Sequence, residues 1–134
     1  MKIKNLYFSP VKSLSFNNVD NLEIIKNIGI KNDRIFAFTN NLNFNEIALI
    51  KNYPLKREIY NFLSLKKYPE LNQYNFLLED NFLILEFENK IILKTDIDNQ
   101  HEVKILCSKL EDILPNINNI NLLKDSMNPF FDTM

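Results

Sequence analysis

The chain has 134 residues, the length of one domain, and its hydrophobic (46%) and charged (25%) fractions are ordinary for a globular protein. A formal net charge of −1 gives no overall basic field, which argues against nucleic-acid binding. The single cysteine excludes an internal disulfide, and no apolar run approaches the roughly 20 residues of a membrane helix or forms a signal-peptide core, so we expect a cytoplasmic protein without membrane contact.

The first predicted element is an alternating strand over residues 3–8, which Ser9-Pro10 ends because proline has no N–H to donate. Lys12 and Ser13 follow, so an ammonium and a hydroxyl lie together just beyond the strand. These two side chains could bind an anion. The simpler alternative is that both are exposed loop residues.

The only glycine, Gly29, lies between two apolar runs rich in β-forming residues, 22–28 and 35–39, and predicts the turn between two strands. Asp33 and Arg34 follow that turn. In a chain with fourteen lysines and two arginines, a guanidinium here suggests a geometric task, because its planar fork suits phosphate or carboxylate better than an ammonium does. Two interpretations stay open: Arg34 binds an anion, or the Asp33–Arg34 pair only pins the turn.

From residue 40 the apolar spacing predicts two short helical pieces broken at Tyr53-Pro54. Lys56, Arg57 and Glu58 are expected on a solvated helix face.

Three further strands are predicted over residues 74–78, 82–87 and 91–94, and the short turns between them indicate an antiparallel meander. Five or six short strands with tight turns favour a small barrel or curled sheet, which leaves no exposed edges. The expected fold is therefore mainly β with α: a small antiparallel β-barrel with an inserted helical segment and a C-terminal amphipathic helix.

That helix is predicted between the cap candidates Asp98-Asn99 and Pro115, because apolar residues recur at helical spacing. They are Val103, Leu106, Cys107, Leu110, Ile113 and Leu114. Cys107 lies on this stripe, so we expect a buried, inert thiol. His101 has no cysteine or histidine at ligand spacing, so a zinc site is not supported.

One more strand is expected within residues 117–123, and the tail then places Phe130 and Phe131 close to the last residue. Either this tail folds back on the barrel or the chain stops within a larger architecture. On the second alternative the phenylalanines would promote aggregation, and removing the last eight residues would improve solubility.

Three stretches together resemble the N-terminal β-barrel domain of MOSC proteins, which precedes the MOSC domain in molybdenum cofactor sulfurases and in the mitochondrial amidoxime reducing component. They are Pro10-Val11-Lys12-Ser13-Leu14, Gly29-Ile30 leading to Asp33-Arg34, and a basic residue followed by Pro69 and Leu71. The third match is loose, since this chain has Ser64, Leu65 and Lys66 where relatives often carry threonine, a spacer and arginine. The resemblance assigns residues 1–98 to the barrel and 99–134 to a helix and the lead-in to an absent MOSC domain.

The resemblance implies that Lys12, Ser13 and Arg34 contact the phosphate end of the molybdenum cofactor (molybdopterin). It implies no metal ligand and no catalytic residue in this chain, because the molybdenum-ligating cysteine of these enzymes lies in the MOSC domain and Cys107 does not match it. Oxygen removal from N-hydroxylated compounds, or sulfur transfer, would then need a missing or separately encoded MOSC domain. The alternative function is a non-catalytic interaction module that docks a partner protein through the apolar tail and the groove beside it.

Overall fold

The computed structural model describes residues 6–14, 17–19, 23–114 and 116–130. Residues 3–5 of the predicted first strand, and Phe131 onward, lie outside the described residues. The strands, numbered in chain order, are β1 Leu6–Phe8, β2 Asn17–Val19, β3 Ile24–Ile25, β4 Gly29–Ile30, β5 Phe36–Phe38, β6 Tyr74–Glu79, β7 Phe82–Phe87, β8 Lys90–Asp96 and β9 Leu122–Lys124. The helices are α1 Phe44–Asn52 and α2 Gln100–Ile113, with 3-10 turns at Pro54–Lys56, Ile59–Asn61 and Pro69–Gln73.

Strand β5 lies at the centre of the fold, and all three of its residues are buried. One edge pairs antiparallel with β9. The other edge bonds to two irregular segments, through a parallel bridge at Val11 and an antiparallel bridge between Thr39 and Phe62. Because both faces are covered, the strand is apolar at every position instead of alternating.

Strands β6, β7 and β8 form the antiparallel meander predicted from the sequence. The two hairpin turns use Asp80, Glu88 and Asn89 at positive φ, the conformation that short hairpin loops require. Leu83 and Leu85 on β7 point into the main core, where α2 covers the meander. The local alternation of apolar residues was therefore sufficient to predict this part of the fold.

The predicted closed barrel is not found among the described residues. Their strands form four small antiparallel sheets, and together with the two helices they make a mixed α/β architecture. Strands β1 and β2 pair only with each other in those sheets, and so do β3 and β4. The physical reason lies in the segments that would have to close the barrel. Pro10 lacks an N–H, and Ser13 and Arg34 adopt positive φ, so continuous ladders cannot form there.

Gly29 was predicted to lie in the turn between two strands, but it lies within a short strand. Gly29 belongs to β4 and pairs with Ile25, while the turns on either side place Asn27 and Asn32 in the left-handed region. Gly29 itself has φ +119, and a Cβ added there would meet nothing within 4 Å. The requirement for glycine is therefore conformational and not steric crowding by neighbours.

Helix α1 begins at a capping box in which Asn43 and Glu46 bond each other's backbone N–H. It ends before Pro54, as the sequence predicted. Helix α2 begins at Asn99, whose side-chain oxygen accepts the N–H groups of His101 and Glu102. Neither helix in the described ranges is long and apolar enough to cross a membrane.

The C-terminal segment folds back, so the first of the two alternatives for the tail holds for Phe130. This residue is only 2% exposed, and its ring meets Phe62 edge-on with centroids 5.5 Å apart. Strand β9 immediately before it supplies Leu123 to the same small core. Residues 122–130 are thus part of the packed molecule, and Phe130 is not an exposed apolar group.

Candidate functional site

The two loops that carry Lys12, Ser13 and Arg34 lie side by side. The Arg34 N–H donates to the Ser9 carbonyl at 2.5 Å, and the Phe36 N–H donates to the Pro10 carbonyl at 3.0 Å. The Lys12 N–H returns a bond of 2.8 Å to the Phe36 carbonyl. These bonds alternate between the strands as in a short parallel ladder, so the two loops are fixed relative to each other through the backbone.

Asp33 ties the same two loops together with its side chain. One carboxylate oxygen accepts the Ser9 N–H at 2.9 Å, and the other accepts the Arg34 guanidinium at 2.7 Å. The Asp33 residue is 7% exposed, so the pair is shielded from water on the aspartate side. The interpretation in which Asp33 and Arg34 pin the turn is therefore consistent with these contacts, and Asp33 also fixes the orientation of the guanidinium.

Arg34 lies at the boundary between core and solvent. Its side chain is 32% exposed, and its backbone has φ 52, in the left-handed region that is costly for a non-glycine residue. Its carbonyl accepts the N–H of Phe130 at 2.7 Å. The C-terminal segment thus holds the backbone of the residue that the sequence singled out.

Lys12 is not the exposed loop residue that one alternative predicted. The residue is 3% exposed, and its ammonium lies 5.8 Å from the centre of the Phe62 ring. A cation over an aromatic face is stabilised by the ring quadrupole, which partly offsets the cost of burial. Lys12 therefore contributes positive charge beneath the loops and has little accessible surface.

Ser13 connects the first motif with the third. It adopts φ 57, is half-buried, and accepts the Leu65 N–H on its carbonyl at 3.2 Å. Ser64 uses its hydroxyl to accept the Lys67 N–H, and Lys66 is exposed. Backbone bonds therefore join the Lys12–Ser13 loop to Arg34 on one side and to Leu65, at the start of the third stretch, on the other.

Arg57 is a buried side chain that joins several segments of the fold. The sequence analysis wrongly placed it on a solvated helix face. It is 7% exposed, and its guanidinium donates to the carbonyls of Ile50 and Asn128, both at 2.7 Å. A further nitrogen pairs with the Asp125 carboxylate at 2.8 Å, and the group stacks 4.1 Å from the Phe130 ring centre. One feature of the sequence could have indicated this buried role: Arg57 is one of only two arginines in a lysine-rich chain.

A groove of about 520 Å³ runs between α2 and β9. Lys12, Ser13 and Arg34 do not line it. Cys107 does, and burial raises the pKa of its thiol to about 11, although a hydrogen bond with the Leu122 backbone opposes that shift. The burial of this thiol, which the sequence predicted, is confirmed. No group of three metal-ligating side chains occurs among the described residues.

No protein-family model, curated protein or solved structure matches this chain.

Proposed function

We propose that the chain binds an oxyanion, the phosphate end of a larger ligand, where the Lys12–Ser13 loop meets Arg34. In this proposal it serves as the N-terminal part of a cytoplasmic MOSC-type molybdenum cofactor protein. The observation that carries the proposal is the parallel backbone pairing that fixes the two loops, with Asp33 bonded to both. A preorganised cationic site avoids the entropy cost of ordering loops when the anion binds.

The three side chains suit such a ligand to different degrees. Arg34 suits it best, because a guanidinium oriented by Asp33 and 32% exposed can present a planar fork to phosphate oxygens. Ser13 offers a hydroxyl from the adjoining loop. Lys12 at 3% exposure suits a supporting role, in which its charge raises the local positive potential without direct contact.

The molybdenum cofactor, when bound, supplies a metal centre for oxygen-atom or sulfur transfer. Its pterin phosphate is the part for which Arg34 and Ser13 are suited. Removal of oxygen from N-hydroxylated compounds, or sulfur transfer, would take place on a MOSC domain that supplies the metal ligand. We propose no catalytic residue in this chain.

The test is a calorimetric titration with inorganic pyrophosphate, in the full chain and in Arg34→Gln. Losing a charge-assisted hydrogen bond should weaken binding by roughly tenfold or more. Lys31→Gln is the matched control, because Lys31 lies in the same turn, has an exposed side chain and pairs with Glu23 at 3.2 Å. Equal affinity for Arg34→Gln and the parent chain would refute the proposal.

A second candidate function is the interaction module, and one observation favours it. Large apolar side chains are exposed along the helical segment 44–60, with Leu55 at 97% and Phe44 at 85%. The tail was the surface first expected to dock a partner, but Phe130 is buried. The segment 44–60 is then the docking surface, and a second copy is its simplest occupant, because a net charge of −1 gives little repulsion between copies.

Sedimentation velocity distinguishes the two candidates. The module predicts concentration-dependent self-association that Leu55→Ser abolishes and Arg34→Gln leaves unchanged. A chain that stays monomeric at high concentration would remove this second candidate.

A further inference from the structure

Helix α2 runs along the outer edge of β9 and contacts it at two points, and the groove lies between the two elements. Glu111 accepts the Ile120 N–H at 3.1 Å, and the Cys107 thiol is hydrogen-bonded to the backbone of Leu122. These are the N–H groups that alternate with the ones bonded to β5. An edge strand is thus protected by side chains of the helix instead of by another strand.

The two contacts define how helix and strand run past each other. Going back four residues along α2 is about 6 Å, and going forward two residues along β9 is about 6.6 Å, so the elements stay in step as they run in opposite directions. One further step brings Lys124 level with Val103 and Lys104. All three residues line the groove.

A third lysine lies at the same end. Lys51, in the last turn of α1, also lines the groove, and its carbonyl accepts from the Arg57 guanidinium that pairs with Asp125. Asp125 directly follows Lys124 in the chain, which places Lys51 beside this end of the groove. None of the three lysines has an ion-pair partner among the described residues.

The charge of the groove departs from that of the chain. Its lining contains three lysines and one glutamate, a formal sum of 3 − 1 = +2, while the whole chain has −1. The glutamate, Glu111, lies at the far end and is already bonded to the Ile120 N–H. Asp125, which directly follows Lys124, is bonded to Arg57 and to the N–H groups of Met127 and Asn128.

The rest of the lining is partly apolar and partly polar, because Gln100, Ser108 and Asn121 also line the groove. Ile97, Val103 and Leu122 are half-buried and line the groove, and Cys107 adds a thiol that stays neutral in its buried setting. A volume of about 520 Å³ lies within the range of small-molecule sites. The combination is a cationic mouth beside walls that supply some apolar surface.

We propose that this groove binds a small amphipathic anion, with its carboxylate among Lys51, Lys104 and Lys124 and its apolar body extending toward Cys107. The proposal is independent of the oxyanion site at Arg34, because the two sites share no side chain. The positive end of the α2 dipole lies at the same mouth and favours the same orientation.

The test is an amide NMR titration of the full chain with decanoate, kept below its micelle concentration. Decanol and inorganic phosphate are the comparison ligands, the first lacking the charge and the second lacking the apolar body. We expect decanoate to shift amides of α2 and β9 and to bind at least several-fold more tightly than either. Decanol binding as tightly as decanoate would overturn the proposal.

Three variants sharpen the test. Combining Lys104→Gln with Lys124→Gln should weaken decanoate binding by roughly tenfold, since each exposed lysine contributes a modest electrostatic gain. Lys109→Gln is the control, because Lys109 is exposed on α2 and does not line the groove. Arg34→Gln should leave decanoate binding unchanged, which separates this site from the proposed function. Parent-like affinity in the double variant would refute the assignment.

Discussion

Replacing Arg57 with alanine should destabilise the protein severely. The change removes a guanidinium that bonds three backbone carbonyls and one carboxylate, and that stacks on Phe130. Breaking a buried ion pair by deleting one partner costs about 3–5 kcal/mol. The Asp125 side chain left behind is 20% exposed and keeps some hydration, so we expect about 3 kcal/mol, the lower end of that range.

The assay is equilibrium urea unfolding, with the midpoint and slope compared between variants. Arg57→Lys should recover only a small part of the loss, because an ammonium cannot reproduce a planar fork that points at Ile50, Asn128 and Asp125 together. The matched control is Lys56→Ala, which removes an exposed cation from the adjoining position and should change the free energy of unfolding by less than about 0.5 kcal/mol.

A double-mutant cycle with Asp125→Asn separates the ion pair from the other bonds. The coupling between Arg57 and Asp125 should be at least about 1 kcal/mol, because the two side chains are in contact and largely buried. If Arg57→Ala costs less than about 1 kcal/mol, the guanidinium does not join α1 to the C-terminal segment.

Three further predictions concern other parts of the fold. Gly29→Ala should cost about 1–2 kcal/mol in urea unfolding because of φ +119, and a neutral result would show that the backbone relaxes into the open space beside it. The free energy of unfolding should fall between pH 9 and 11, because the unfolded thiol (pKa 9.0) ionises before the buried Cys107 thiol (pKa about 11), and the Cys107→Ala variant should lack this part of the pH dependence. Phe130→Ala should lower the free energy of unfolding by about 3–5 kcal/mol, because it leaves a cavity against Phe62. Removing the tail should therefore destabilise the chain, contrary to the solubility gain expected from the sequence. Unchanged urea midpoints in these variants would contradict this prediction.

Elements fixed by local patterns were predictable from the sequence. The meander and α2 follow from apolar spacing over short windows, and the turns between strands carry residues that accept positive φ. The helical break before Pro54 is local in the same sense. In each case the residues that decide the structure lie within one element or its caps.

Long-range pairing was not predictable from such windows. Strand β5 pairs with β9 near the other end of the chain, and the residues Phe36–Phe38 do not indicate which strand they will pair with. The burial of Arg57 depends on the same pairing, since Asp125 and Phe130 come into reach only after β9 docks. Lys12 is buried because Phe62 returns beside β5, which its own neighbours in the sequence do not reveal.

Both arginines are fixed by the same two kinds of contact. Each pairs with an aspartate, and each contacts the C-terminal segment at Phe130: Arg34 through its carbonyl and Arg57 through its guanidinium. An oxyanion site at Arg34 would therefore depend on residues well beyond 98, where the resemblance ends the first domain. Loss of the Phe130 ring should weaken pyrophosphate binding at Arg34 as well as stability, because the segment that fixes the Arg34 backbone would no longer be anchored.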